Sequence, residues 1–199
     1  IPSWFYNLEK VDVHSNSLGA KLPEAISADA AIQHLVLYDN NITGTIPKAF
    51  SNLENLVHLD VSSNLLTGSI PDVFSSMKQL EKLYLSDNNF GPPSGQATGS
   101  EGYQFPFLKE NRRLQEISLA DCGLQGEIPH YVGEFLTDLV LLDVRDNEMS
   151  GPIPKSIRNL SNLQYLLLSF NNLSGDIPDL SVLENIGTYT CSISTDAGI

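Results

Sequence analysis

Three of the four histidines stand in the first third of the chain, and two have a carboxylate two residues away: His14 with Asp12, and His58 with Asp60. His34, Tyr38 and Tyr84 belong to the same stretch. An unperturbed imidazole titrates near pH 6.5, so this set can support pH-tuned ligand binding. It also offers donors to a metal ion, and its plain alternative is a solvated polar surface. Catalysis by an Asp–His pair wants a pocket that excludes water, whereas residues at i and i+2 of a strand share one open face. The chain contains no GxSxG, no HExxH and no Gly-rich phosphate loop. It is therefore expected to be no enzyme and to use no metal or cofactor.

The bulk numbers narrow the partners. The chain has 199 residues, 41% of them hydrophobic and 18% charged, the profile of a soluble protein. Its formal net charge is -13 with only 11 Lys and Arg. Affinity for nucleic acid rests on cations neutralising phosphates, so DNA, RNA and anionic membranes are excluded as expected partners. No apolar run reaches the length of a membrane span, and the opening IPSWFYNLEK lacks the basic and apolar regions of a signal peptide. Cys122 and Cys191 make neither a disulfide framework nor a zinc-ligand spacing.

What must position these residues is a repeat. LVHLDVSSNLLTGSIP (56–71) recurs as IQHLVLYDNNITGTIP (32–47) and LQYLLLSFNNLSGDIP (163–178), with looser copies from Leu8, Leu80, Leu114 and Leu139, seven in all. The anchor column is Asn16, Asn40, Asn64, Asn88, Cys122, Asn147 and Asn171, with separations of 24, 24, 24, 34, 25 and 24 residues. Such a period means a stacked repeat architecture, and the 34 marks an insertion around 91–113. In each copy alternating apolar residues, such as Leu59 with Val61, point to one side of a short strand, which is stable only when stacked in parallel on its neighbours. The anchor amide can satisfy backbone groups of adjacent turns, and Cys122 can fill the slot with a weaker donor. A Gly and then a Pro follow, as in Gly68 and Pro71, giving a tight turn and blocking helix. Apolar residues three apart (Phe74, Met77, Leu80) then suit a short 3-10 or helical turn on the convex side.

This frame sorts the outward residues into columns on the concave face, the usual binding surface of a solenoid. The first holds Lys10, His34, His58, Lys82, Glu116, Leu141 and Tyr165; the second Asp12, Val36, Asp60, Tyr84, Ser118, Asp143 and Leu167. The third holds His14, Tyr38, Ser62, Ser86, Ala120, Arg145 and Ser169; the fourth Ser15, Asp39, Ser63, Asp87, Asp121, Asp146 and Phe170. His34 and His58 are expected as direct neighbours about 4.8 Å apart. The predicted ligand residues are His14, His34, Tyr38, His58, Asp60, Tyr84, Arg145, Tyr165 and Phe170. Leu141, Tyr165, Leu167 and Phe170 form an apolar patch that is either a partner interface or is covered by further repeats or a cap. The aspartates of the fourth column suggest calcium, but six to eight converging oxygens are needed and Ser63 interrupts the column, so a structural or solvated role is expected.

The pattern LxxLxLxxNxLxGxIP resembles the plant-specific class of leucine-rich repeats over roughly residues 1–180. That class includes receptor-like kinase and receptor-like protein ectodomains and polygalacturonase-inhibiting proteins. The resemblance implies an α/β repeat fold, a curved right-handed leucine-rich-repeat solenoid with a parallel concave sheet and short 3-10 or helical turns on the convex side. It also implies a second short sheet built from the LxGxIP segments. Family members usually carry cysteine-paired caps, and neither end of this sequence has a pair. Residues 1–199 are thus read as one solenoid of about seven 24-residue repeats, with a partial repeat or cap at 180–199, and as a fragment of a longer ectodomain. Cys191 is not expected to reach Cys122, since about three stacked repeats, roughly 14 Å, lie between them, against a limit near 7 Å.

The first half of the insertion is rich in Gly, Ser and Pro and reads as a surface loop; Tyr103, Phe105 and Phe107 are expected to return the chain to the core. Sequons at Asn41, Asn159 and Asn172 support an extracellular or cell-surface origin. The expected function is non-catalytic binding of a protein, peptide or glycan on the concave face of a receptor-like or adhesion protein, with any membrane contact through a segment outside this chain. The alternatives are a secreted inhibitor of a cell-wall-degrading enzyme and a passive matrix scaffold.

Overall fold

The computed structural model describes residues 7–91 and 105–191. Each repeat makes one coil with a three- or four-residue strand, a tight corner and a return segment. In chain order the strands are β1 (Lys10–Asp12), β2 (His34–Val36), β3 (Thr43–Gly44), β4 (His58–Asp60), β5 (Leu65–Gly68), β6 (Lys82–Tyr84) and β7 (Asn89–Phe90). After the insertion come β8 (Glu116–Ser118), β9 (Gln125–Gly126), β10 (Leu141–Asp143), β11 (Glu148–Gly151), β12 (Tyr165–Leu168), β13 (Asn172–Leu173) and β14 (Thr188–Cys191). One eight-stranded parallel sheet runs β1-β2-β4-β6-β8-β10-β12-β14. The LxGxIP corners add two three-stranded sheets, β3-β5-β7 and β9-β11-β13, one on each side of the insertion.

Register follows the repeat. His34 faces His58 and Leu35 faces Leu59. Across the insertion Lys82 still faces Glu116 and Leu83 faces Ile117. The inward residues Leu59, Val61, Leu83, Leu85, Leu166 and Leu168 are fully buried, as are Phe50, Leu53 and Leu56 from the return segments. The return segments are 3-10 turns at Lys48–Asn52, Phe74–Ser76 and Lys155–Asn159 and one short helix, α1 (Tyr131–Phe135). They too are tied from turn to turn: Asn52 donates to the carbonyl of Ile26 at 2.7 Å and Ser76 to that of Ser51 at 2.8 Å.

The anchor column closes each corner. The Asn64 amide donates to the carbonyls of Leu37, Val61 and Ser62, and its oxygen accepts the Ile42 N–H at 3.0 Å. Asn40, Asn88, Asn147 and Asn171 repeat the pattern, while Asn16, in the first turn, bonds the carbonyls of Val13 and His14. Cys122 donates its thiol to the Leu85 carbonyl at 3.2 Å, and burial pushes that thiol's pKa up. Cys122 and Cys191 are both free and stand three strands apart, on the β8 and β14 turns.

Two features sharpen the sequence reading and one, at Phe107, overturns it. The fourth column turns out to be a backbone device: Ser15, Asp39, Ser63, Asp87, Asp121, Asp146 and Phe170 all have φ between 48° and 57°. Aspartate tolerates this left-handed region better than most residues, which accounts for its recurrence without calcium. Phe107 does not return to the core; it is 40% exposed, while Phe105 and Leu108 are buried and the buried Asn111 amide donates to the carbonyls of Phe74 and Met77. Tyr103 lies outside the described residues. Finally, β14 adds an eighth strand, with Tyr189 opposite Leu166 and Cys191 opposite Leu168 in the two inward positions.

Candidate functional site

The concave sheet carries its outward residues on strands, so their spacing is that of the ladder. Towards the first turns two groups form. His14 stacks on Tyr38 with ring centroids 4.5 Å apart, and its Nδ1 lies 2.6 Å from Asp12. That hydrogen bond leads the effects that hold the Asp12 carboxyl below its ordinary range. The second group runs across four strands. His34 meets His58 edge to face at 6.1 Å, His58 meets Tyr84 at 5.4 Å, and the Tyr84 hydroxyl donates to Glu116. Lys82 donates to the other Glu116 oxygen at 2.7 Å.

The electrostatics of this second group follow from crowding. Burial lowers the His58 pKa, aided by the positive charges of Lys82 and His34 and opposed by Asp60 and Glu116. Burial would raise the Glu116 carboxyl, but the Lys82 and Tyr84 hydrogen bonds outweigh it and leave it lowered. Burial and the Glu116 bond raise the Tyr84 hydroxyl. His58 Nε2 is screened from solvent and has no hydrogen-bond partner among the described residues. Asp60 is itself buried and accepts from the Ser62 N–H at 3.0 Å and the Ser62 hydroxyl at 2.6 Å.

The structure therefore joins six sequence-predicted residues, His14 with Tyr38 and His34 with His58, Tyr84 and, by charge, Asp60. Arg145 is held elsewhere, its guanidinium bonding both oxygens of Asp143 at 2.9 and 2.8 Å. Tyr165 and Phe170 stand at the far end, 44% and 69% exposed. Glu116 and Lys82, which cross-link the histidine row, were legible as column members, and their opposite charges on adjacent strands were the signal for their pairing. Asn41, Asn159 and Asn172 are all exposed. Among the described residues no three His, Cys, Asp or Glu side chains converge as a metal site would need, and no helix is long and apolar enough to cross a membrane.

A repeat this regular invites comparison with known proteins. Leucine-rich-repeat family models match residues 30–90 and, as single units, 113–135, 138–160 and 162–182. The LRR receptor-like serine/threonine-protein kinase GSO2 of Arabidopsis thaliana is 41% identical over 68 residues, 34% of this chain and 5% of that protein. Among solved structures, the plant peptide hormone receptor RGFR1 in complex with RGF2 superimposes with a TM-score of 0.81 at 31% identity, covering 98% of this chain and 30% of that one. The Arabidopsis receptor kinase HAESA, in complex with the peptide hormone IDA and the co-receptor SERK1, gives 0.76 at 32% identity, covering 91% and 29%. The chain thus spans under a third of these relatives' lengths, and the part it shares with them is their coil of repeats. Sequence frame, asparagine ladder and matched models agree over residues 30–90 and 113–182, and on that agreement this chain belongs to the leucine-rich-repeat family, in its plant-type form.

Proposed function

We propose that this chain is a non-catalytic ligand-binding segment of an extracellular, receptor-like protein, and that its concave face takes a peptide or protein ligand. One observation carries the reading. The outward side chains of four adjacent strands form a single linked surface, His34–His58–Tyr84–Glu116, open along its length and suited to an extended ligand laid across the turns. The neighbouring solved receptors are described in complex with peptide hormones, which supports the same class of ligand. Asp60 Oδ1 accepts from both the N–H and the hydroxyl of Ser62, and among the described residues His58 Nε2 has no hydrogen-bond partner, which supports a binding role over an Asp–His relay. The exposed sequons at Asn41, Asn159 and Asn172 are proposed glycan sites and agree with an extracellular setting.

The test is to screen a secreted-peptide library against the chain at pH 7.5 and pH 5. Because burial lowers the His58 pKa, the neutral ring persists through pH 6.5, and protonation sets in only below that ordinary value. Affinity is expected to hold at pH 7.5 and to fall below about pH 6.5 as a charge appears beside Lys82. His34→Ala with His58→Ala should weaken binding at least tenfold and flatten the pH profile. Affinity indifferent both to pH and to the double substitution would remove the histidine row from the site.

A further inference from the structure

The return segments offer an internal comparison. Aligned on their inward residues Phe50, Phe74, Leu108, Val132 and Ile157, they carry at the preceding position Ala49, Val73, Phe107, Tyr131 and Ser156. Of these five turns, only the two beside the insertion have a ring there. The Phe107 and Tyr131 centroids lie 6.2 Å apart, and Phe107 keeps 40% of its surface exposed. Tyr131 also meets the buried Phe105 at 6.4 Å, and its hydroxyl donates to the Pro106 carbonyl and accepts the Leu108 N–H. The platform is thus held from beneath while Phe107 faces solvent. Half-buried Phe135 stands four residues along α1 from Tyr131, on the same side of that helix, and extends it. Three of the five turns form without a ring in this position, so the repeat itself does not require one.

Two cations lie over these rings. Lys109 Nζ sits 4.7 Å from the Phe107 centroid, and the Arg112 guanidinium 5.2 Å from that of Phe135. A ring face holds a cation in place without neutralising it. The carboxylates nearby are engaged elsewhere: Glu110 pairs with Lys78 at 3.4 Å and Glu81 with Arg113 at 3.5 Å. Among the described residues neither Lys109 nor Arg112 has an ion-pair partner. The chain has 24 Asp and Glu against 11 Lys and Arg, so two such cations on an exposed aromatic platform reverse its general character locally. Aromatic side chains and Arg are also the groups enriched at the centres of protein interfaces. We propose that this platform is a second interaction surface, which docks an acidic segment of a partner protein. An apolar side chain of that segment lies against Phe107 and Tyr131, and its carboxylates meet Lys109 and Arg112. The platform is built on return segments and not on the strands of the concave sheet, so its occupancy does not depend on the histidine row.

Random-peptide phage display tests it, with selection run in parallel on the native chain and on Lys109→Glu with Arg112→Glu. The native chain should enrich sequences that set Asp or Glu beside Phe, Leu or Trp, and the charge-reversed chain should not. For a synthetic peptide of the most enriched such sequence, fluorescence anisotropy should show affinity lowered about tenfold or more by the charge reversal and by Phe107→Ser, and weakened by salt. His34→Ala with His58→Ala should leave that affinity within about twofold, which separates this surface from the concave one. The substituted groups are exposed or half-buried, so each variant should lose less than about 4 °C in Tm. A larger loss on Phe107→Ser would assign the ring to the fold and overturn the proposal. So would enrichment of no acidic–apolar sequence, equal enrichment on both chains, or a peptide weakened only by the histidine substitutions. Binding of polygalacturonate and of no selected peptide would overturn it too, by making the cations a site for an acidic glycan.

Discussion

At the scale of single residues, the anchor column carries the greatest structural weight per side chain. Each buried Asn amide serves carbonyls of two turns at once, so its loss leaves several groups dry and unpaired. Asn64→Ala removes three donated bonds and one accepted bond. It should lower stability by about 3 kcal/mol in urea unfolding. Asn64→Cys should cost less, because Cys122 shows that a thiol can still reach one carbonyl in that slot. This column was legible from spacing alone, since its hydrogen bonds follow from residue type and period. The column beside it was harder to read. The aspartates before each anchor have the composition of a cation site and the geometry of a left-handed corner, and a side chain's name does not report its backbone angle. Phe107 and Leu108 pose the same difficulty: they are neighbours in sequence and both apolar, and only the path of the chain out of the insertion decides which is buried.

Among elements, strands of three residues have no independent stability and exist because each is paired with its neighbours, on both sides for all the described strands of the main sheet but β1 and β14. The period predicts their register well, including the direct pairing of His34 with His58. It is silent where the leucines are replaced, which is why Tyr189 and Cys191 kept β14 out of the repeat count. The return segments vary more than the strands, and α1 shows what sets their spacing. Gly133 lies so close to the next turn that a methyl group there would fall 2.0 Å from the Ser156 carbonyl oxygen. That neighbour is backbone and cannot swing aside. Gly133→Ala should therefore destabilise by about 2–3 kcal/mol as α1 and the Lys155–Asn159 turn are forced apart. A loss below about 0.5 kcal/mol in calorimetry would show that the turns can slide past one another. The candidate site divides in the same way: its columns were readable, but the links from His58 through Tyr84 to Glu116 depend on rotamers that no spacing specifies.

In the whole molecule, contacts join each turn mainly to the next, so stability is closer to a sum over neighbours than to the closure of one globular core. In residues 1–199 produced on their own, opening should begin at the turns with a single neighbour. Amide exchange followed by mass spectrometry is expected to protect β6, β8 and β10 most and β1 least, and uniform protection along the sheet would show that the coil opens as one unit. The charge of -13 spread over this extended body keeps copies apart and favours cationic ligands on approach, an effect that salt should weaken.

The insertion gives that neighbour-by-neighbour order an evolutionary consequence. Lys82 meets Glu116 as squarely as His58 meets Lys82, although 34 residues separate the first pair and 24 the second. The coil thus keeps count of its turns and ignores the length of chain between them. A lineage can lengthen or trim the chain at that corner without renegotiating any strand pairing, so new surface can be tried there while the rest of the scaffold is inherited unchanged.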